Sequence, residues 1–259
     1  TAVDTPGQYG VVEVEGGSVT GLTEKPAPGR ITSDLINAGV YRFGPDIFAA
    51  IEGTARTPTG ELAITDTLQS IIEAGALRSV RYRGRWLDVS HLWDIVSGNA
   101  AVLDGRGGRD RAESASVHPS AAVAGRTAIG AATVVEPNAT LLGGTAIGDN
   151  VRIGPNAVVE NAVVLSDVTI DAGAIVRDAV VGENVSIGPN TTIEGGAADV
   201  VVDDRVHRGV TFGGVVGDNS RVGGSVAFRP GTILGDGSRV ESGATLAGRL
   251  PSGSEVRRG

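Results

Sequence analysis

The chain has 259 residues, a formal net charge of −8, 41% hydrophobic residues, 40 glycines and only 3% aromatic residues. The acidic balance argues against a nucleic-acid partner, and the lack of cysteine excludes disulfides and thiolate metal sites. No apolar run reaches the length of a membrane span and the first residues lack a signal-peptide design, so the expected compartment is the cytoplasm, with no membrane partner.

Residues 9–15 and 18–24 roughly alternate apolar and polar side chains around Gly16-Gly17, which predicts a β-hairpin. Residues 37–43 read as a strand and 45–52 as a short helix. A second helix is expected over 67–74, with Thr65 or Asp66 as its cap and Gly75 as its stop. Residues 79–82 and 85–89 read as strands, and Ser90 as the cap of a helix running to about Leu103. This mixture predicts an α/β domain over 1–104, with few strands for an independent unit of that class. Residues 105–116, rich in Gly, Arg and Asp with no apolar period, read as a linker before a second domain over 117–259.

In the second domain an aliphatic residue returns every sixth position: Val117, Val123, Ile129, Val135, Leu141, Ile147, Ile153 and Val159. The ladder slips by one residue twice, giving Val164, Ile170, Val176, Val181, Ile187 and Ile193. It breaks over 195–214 and resumes as Val216, Val222, Phe228, Leu234, Val240 and Leu246. A helical period of 3.6 does not generate a strict six, and Gly130, Gly148, Gly154, Gly182, Gly188, Gly217 and Gly235 each follow a ladder residue. This is the hexapeptide signature of a parallel β-helix, in which three short strands and turns close a triangular coil and the ladder residues stack inside.

Several short segments of the first domain occur in an order and spacing that carries a resemblance. They are Tyr9-Gly10-Val11-Val12, Glu24-Lys25-Pro26, Ile36-Asn37-Ala38-Gly39-Val40-Tyr41, Gly60-Glu61-Leu62-Ala63-Ile64-Thr65-Asp66 and Trp86-Leu87-Asp88-Val89. Together they resemble the C-terminal half of a sugar-1-phosphate nucleotidyltransferase domain, the enzymes that join a nucleoside triphosphate to a sugar 1-phosphate and release pyrophosphate. Followed by a hexapeptide β-helix, the arrangement is similar to the archaeal bifunctional nucleotidyltransferase/acetyltransferase type. The resemblance implies a partial α/β nucleotidyltransferase domain joined to an all-β left-handed parallel β-helix. It also implies Mg²⁺ as cofactor, a nucleoside triphosphate and a sugar 1-phosphate as substrates, and a homotrimer built on the β-helix. The glycine-rich Gly-x-Gly-x-Arg loop with which the family begins, and its first metal-binding aspartate, do not precede the hairpin in this sequence. The resemblance therefore implies a preceding segment about as large as the half present, without which the chain is inactive.

The same resemblance assigns roles. Glu24 would accept hydrogen bonds from sugar hydroxyls while Lys25, the single lysine of the chain, would neutralise the sugar phosphate. Asn37 would read a sugar hydroxyl or acetamido group, and Gly39 would let the backbone approach the ligand. Asp88 would be one carboxylate ligand of Mg²⁺. Each has a plainer reading: a solvated strand end for Glu24-Lys25, a turn contact for Asn37, a helix cap for Asp88. Of the histidines, His91 and His118 read as structural. His207 lies in the break of the ladder, where a neutral imidazole would take the proton of a sugar amine attacking acetyl-CoA. Its surroundings, Asp203-Asp204-Arg205-Val206-His207-Arg208, lack the family's Asn-Leu-Arg-His-Asp context. Two alternatives therefore stand beside nucleotidyl transfer: an acetyl-CoA-dependent sugar N-acetyltransferase carried by the β-helix, and a β-helix that only oligomerises the protein.

Overall fold

The computed structural model describes residues 1–57, 60–106, 110–202 and 205–258. They form two compact units, Thr1–Leu87 and Asp88–Gly259.

The first unit is built on the expected hairpin, β1 (Gly10–Glu15) and β2 (Ser18–Glu24). Gly16 and Gly17 have φ of +55° and +86°, the double positive φ that a tight primed turn requires and that glycine adopts without penalty. Leu35 and Ile36 lie against the outer edge of β1, with Val12 N–H donating to Leu35 O at 2.8 Å and Asn37 N–H to Gly10 O at 2.8 Å. On the other side, Val19 N–H donates to Leu77 O at 3.0 Å and Ser79 N–H to Gly17 O at 3.0 Å. Two helices, α1 (Ile47–Glu52) and α2 (Ile64–Glu73), complete the unit, and Val11, Val19, Ile36, Leu68 and Ile72 form its small core. The helix α2 begins earlier than the sequence predicts. Ala63, without a side-chain hydrogen bond, stands at the N-cap in place of Thr65 or Asp66, while Gly75 follows the helix at φ +69°.

The strands read over 37–43, 79–82 and 85–89 do not form. Only isolated bridges, Val11 to Ile36 and Ser18 to Arg78, mark where they would start. A strand exists only when a neighbour supplies its ladder, and beyond residues 37 and 79 the described residues supply none.

The second unit opens with α3 (Leu92–Arg106) and continues as a parallel β-solenoid. Its strands form three sheets of 8, 7 and 8 strands. The ladder residues fall into three stacked columns, one per face. Ile129, Ile147, Val164, Val181, Val216 and Leu234 form one column, and Val135, Ile153, Ile170, Ile187, Val222 and Val240 the second. Leu141, Val159, Val176, Ile193, Phe228 and Leu246 form the third. All of these are buried in one continuous core, while Val117 and Val123 at the start are partly buried. Burying each such side chain contributes roughly 1.5–3 kcal/mol.

Corners are turned by asparagine. Asn150, Asn156, Asn184 and Asn190 take φ between +53° and +59°, a left-handed conformation that asparagine tolerates better than other side chains. The glycine just before such a corner serves a different need. At Gly148 a Cβ would stand 2.8 Å from the Leu165 carbonyl carbon in the next coil, so no side chain fits between the stacked backbones. Thr133 ties coils together from inside, donating to Gly148 O at 2.8 Å and accepting from Val151 N–H at 3.1 Å.

Three boundaries differ from the sequence reading. The solenoid starts before residue 117: Asp110-Arg111, placed in the linker, pairs with Ala128-Ile129 in the first coil. Residues 107–109 of that linker lie outside the described residues. The prism also runs past Leu246, adding Leu250 and Val256 to two of the columns. Finally, the compact units divide at 87/88, whereas the sequence reading keeps α3 with the first domain. Asn99 on α3 donates to Gly144 O of the solenoid at 2.8 Å, and Val96 and Leu103 are buried.

The break over 195–214 is an antiparallel hairpin, Ala197–Val202 against Arg205–Thr211. The prism continues across it without losing a rung, since Ile187 pairs with Val222 and Ile193 with Phe228.

Candidate functional site

In the first unit, the pairing of β1 with β2 and of β1 with residue 37 lines up three positions. Gly10 is opposite Glu24, and Gly10 O accepts from Asn37 N–H. A Cβ on Gly10 would stand 2.9 Å from Glu24 Oε2 and 3.6 Å from Asn37 Cβ. Glu24 and Asn37 therefore come together over the buried Gly10 at the end of the hairpin. The sequence reading singled out Glu24 and Asn37 but not Gly10, which appeared there only as part of a motif. The clue available was a glycine within the residues 9–15 read as a strand, since glycine in a strand often marks a close approach.

Lys25 follows directly, with φ of +42°. A long side chain in the left-handed region is uncommon, and here it is held by Lys25 N–H donating to Tyr9 O at 3.0 Å and by the buried Pro26 that follows. Lys25 and Glu24 are both exposed. The next turn is set by Asn37, whose Oδ1 accepts from Gly39 N–H at 3.0 Å, with Gly39 at φ +75°; the Asn37 amide also donates to the Tyr41 hydroxyl. Gly39 thus serves a left-handed turn, and the turn contact foreseen for Asn37 is made. Trp86 donates from Nε1 to Ala38 O at 3.3 Å and meets the Tyr9 ring edge-on at 5.3 Å, which closes the aromatic side of this surface.

Asp88 is the first residue of the second unit. Both of its carboxylate oxygens lie 2.9 Å from Ser90 Oγ. The residue is exposed. Neither Asp88 nor Ser90 caps α3. Asp94 in the first turn reaches back instead, accepting from His91 N–H at 2.8 Å and from Ser90 N–H at 3.1 Å, half of a capping box. No cluster of three or more His, Asp or Glu side chains suited to a metal forms among the described residues.

His207 lies on the second strand of the inserted hairpin, opposite Val200. Its ring meets His91 at 4.5 Å and Trp93 at 5.0 Å. His91 stacks on Trp93 at 4.4 Å with planes 8° apart, and its Nδ1 lies 3.1 Å from Asp94 Oδ2. Trp93 in turn packs edge-on against Phe212, which is fully buried. His207 is thus half-buried in an aromatic cluster that fastens the hairpin to α3. His91 stands just before α3, and His118 contacts Ser120 Oγ at 2.9 Å in a coil turn. Asp203 and Asp204 lie outside the described residues.

Known proteins account for both units. Residues 1–105 match the nucleotidyl transferase family. Residues 106–212 match the LbH domain of the EIF2B epsilon subunit, and 215–247 the hexapeptide repeat of succinyl-transferase. The solenoid is thus a left-handed β-helix of hexapeptide type. The bifunctional protein GlmU of Methanococcus maripaludis is 40% identical over 103 residues, 39% of this chain and 25% of that protein. Glucose-1-phosphate thymidylyltransferase of Streptomyces griseus is 41% identical over 106 residues, covering 40% of this chain and 29% of the relative. The low-salt glycan biosynthesis nucleotidyltransferase Agl11 of Haloferax volcanii is 38% identical over 126 residues, or 48% and 34%. The chain spans about a quarter to a third of the length of these relatives. No helix among the described residues is long and apolar enough to cross a membrane.

Proposed function

With a nucleotidyl transferase unit joined to a hexapeptide β-helix as the premise, we propose that this chain is the sugar-phosphate side of an enzyme that makes a nucleotide sugar. The observation that carries this reading is the row Glu24–Gly10–Asn37 beside Lys25, held in a left-handed conformation at the hairpin end. A carboxylate and an amide brought side by side suit the hydroxyls of a sugar, and an ammonium suits its phosphate. In the reaction, an oxygen of the sugar 1-phosphate attacks the α-phosphorus of the nucleoside triphosphate. The bond to the β-phosphate oxygen breaks and pyrophosphate leaves. Such catalysis rests on positioning and on charge neutralisation. Mg²⁺ would neutralise phosphate charge, and the exposed Asp88 carboxylate, engaged only with a hydroxyl, is fit to be one of its ligands.

The β-helix would hold three copies of the chain about a common axis in the cytoplasm. The alternative, acetyl transfer from acetyl-CoA through His207, would need that ring to leave its contacts with His91 and Trp93.

The test uses a chain extended upstream with the rest of a nucleotidyltransferase domain. Pyrophosphate release should appear and depend on Mg²⁺. Lys25→Ala should raise KM for the sugar 1-phosphate by about 10–100-fold, as loss of a charged hydrogen bond does. Asp88→Asn should instead lower kcat by about 10–100-fold, because the metal stabilises charge developing in the transition state. Both variants turning over like the parent would refute the assignment.

A further inference from the structure

Two carboxylates stand at the start of α3, and they are used differently. Asp94 is taken up by its own chain: Oδ2 accepts from Ser90 N–H at 3.1 Å and from His91 N–H at 2.8 Å, and lies 3.1 Å from His91 Nδ1. Asp88 is exposed, and among the described residues its carboxylate is hydrogen-bonded to one group, the Ser90 hydroxyl.

That hydroxyl lies 2.9 Å from Oδ1 and 2.9 Å from Oδ2. A donor at equal distance from both oxygens of one carboxylate, and hydrogen-bonded to each, stands in the fork between them. The fork is also where a metal ion sits when a carboxylate binds it through both oxygens, so the hydroxyl and such a metal exclude one another. A metal bound through one oxygen, from the outer side, leaves the hydroxyl in place. The backbone that carries the hydroxyl is fixed: Ser90 N–H is tied to Asp94 in the first turn of α3, Val96 and Leu103 of that helix are buried, and its Asn99 donates to Gly144 O of the solenoid at 2.8 Å.

Divalent ions answer to an occupied fork differently. Ca²⁺ binds carboxylates through one oxygen or through both, whereas Mg²⁺ demands near-ideal octahedral corners, which the two close oxygens of one carboxylate do not fit. We propose that Ser90 is a positioning residue for Asp88: its hydroxyl, held in the fork, leaves the carboxylate one oxygen for a metal and so favours Mg²⁺ over Ca²⁺. The inference rests on the reading of Asp88 as a metal ligand given above.

The experiment uses the chain extended upstream, as in the preceding test, with Mn²⁺ as a paramagnetic probe and neither nucleotide nor sugar present. Bound Mn²⁺ is read by electron paramagnetic resonance while Mg²⁺ or Ca²⁺ displaces it, so no turnover enters the measurement. Ser90→Ala opens the fork and should tighten Ca²⁺ binding by about 3–10-fold, the worth of one hydrogen bond, while Mg²⁺ binding changes by less than about twofold. Ser90→Thr keeps the hydroxyl and should keep the parent's ratio of the two affinities. A purely structural role for Ser90 would shift both metals together, or the melting temperature alone, and either result would overturn the proposal. So would a ratio in Ser90→Thr that follows Ser90→Ala. Asp88→Asn separates this inference from the reading beneath it. Mn²⁺ held no less by Asp88→Asn than by the parent refutes Asp88 as a ligand, and the proposal with it. Mn²⁺ lost in Asp88→Asn, together with an unchanged ratio in Ser90→Ala, keeps the ligand and removes only the role of Ser90.

Discussion

The two units spend their apolar residues differently. In the solenoid every coil repeats the last, so each ladder residue meets its like above and below, and burial is complete from Leu141 to Leu234. In the first unit the partners of a strand come from distant parts of the chain, and a few buried residues, Val11, Ile36 and Leu68 among them, hold a hairpin whose flanking segments stay open. The difference is one of locality. A repeat supplies its own neighbours, whereas the strands of an α/β unit depend on partners far away in sequence.

That contrast can be broken or sharpened by measurement. The largest effect should come from Ile153→Ala, which empties a fully buried site between Val135 and Ile170 and should cost about 2–4 kcal/mol in the solenoid's urea unfolding. A cost under about 0.5 kcal/mol would mean the columns are not packed as described. Next comes Gly148→Ala, where the new methyl meets the Leu165 backbone at 2.8 Å and should destabilise the same transition by about 1–3 kcal/mol. The smallest is Asn99→Ala, which removes the bond to Gly144 O and should cost about 1 kcal/mol. It tests where the units divide: α3 melting with the solenoid supports 87/88, and α3 melting with the first unit supports a boundary near 104.

How much was legible in the sequence follows the same line. The hexapeptide ladder needs only near neighbours, so its residues could be read one by one, slips included. Arg111 hid the first coil because it breaks the apolar period, and the shorter spacing from Leu246 to Leu250 hid the last. The hairpin β1–β2 was legible through Gly16-Gly17, a local signal. Residues 37–43 were read as a strand from their apolar content, but strand formation is a property of pairs. At the site, Glu24, Lys25 and Asn37 were found by motif, and the structure gathers Glu24 and Asn37 around Gly10. Asp94 was missed as the helix cap because Ser90 offered the commoner pattern, and the contact of His207 with His91 joins positions far apart in sequence.

The inserted hairpin leaves the prism at Ile193 and returns at Val216 with every rung in place. A corner of this solenoid is therefore a port, where chain can depart and rejoin without altering the length or twist of the column. What hangs from the port and what the column measures out are separable. Replacing the hairpin should leave a prism of the same height, so new chemistry can be added at a corner while the scaffold keeps its dimensions.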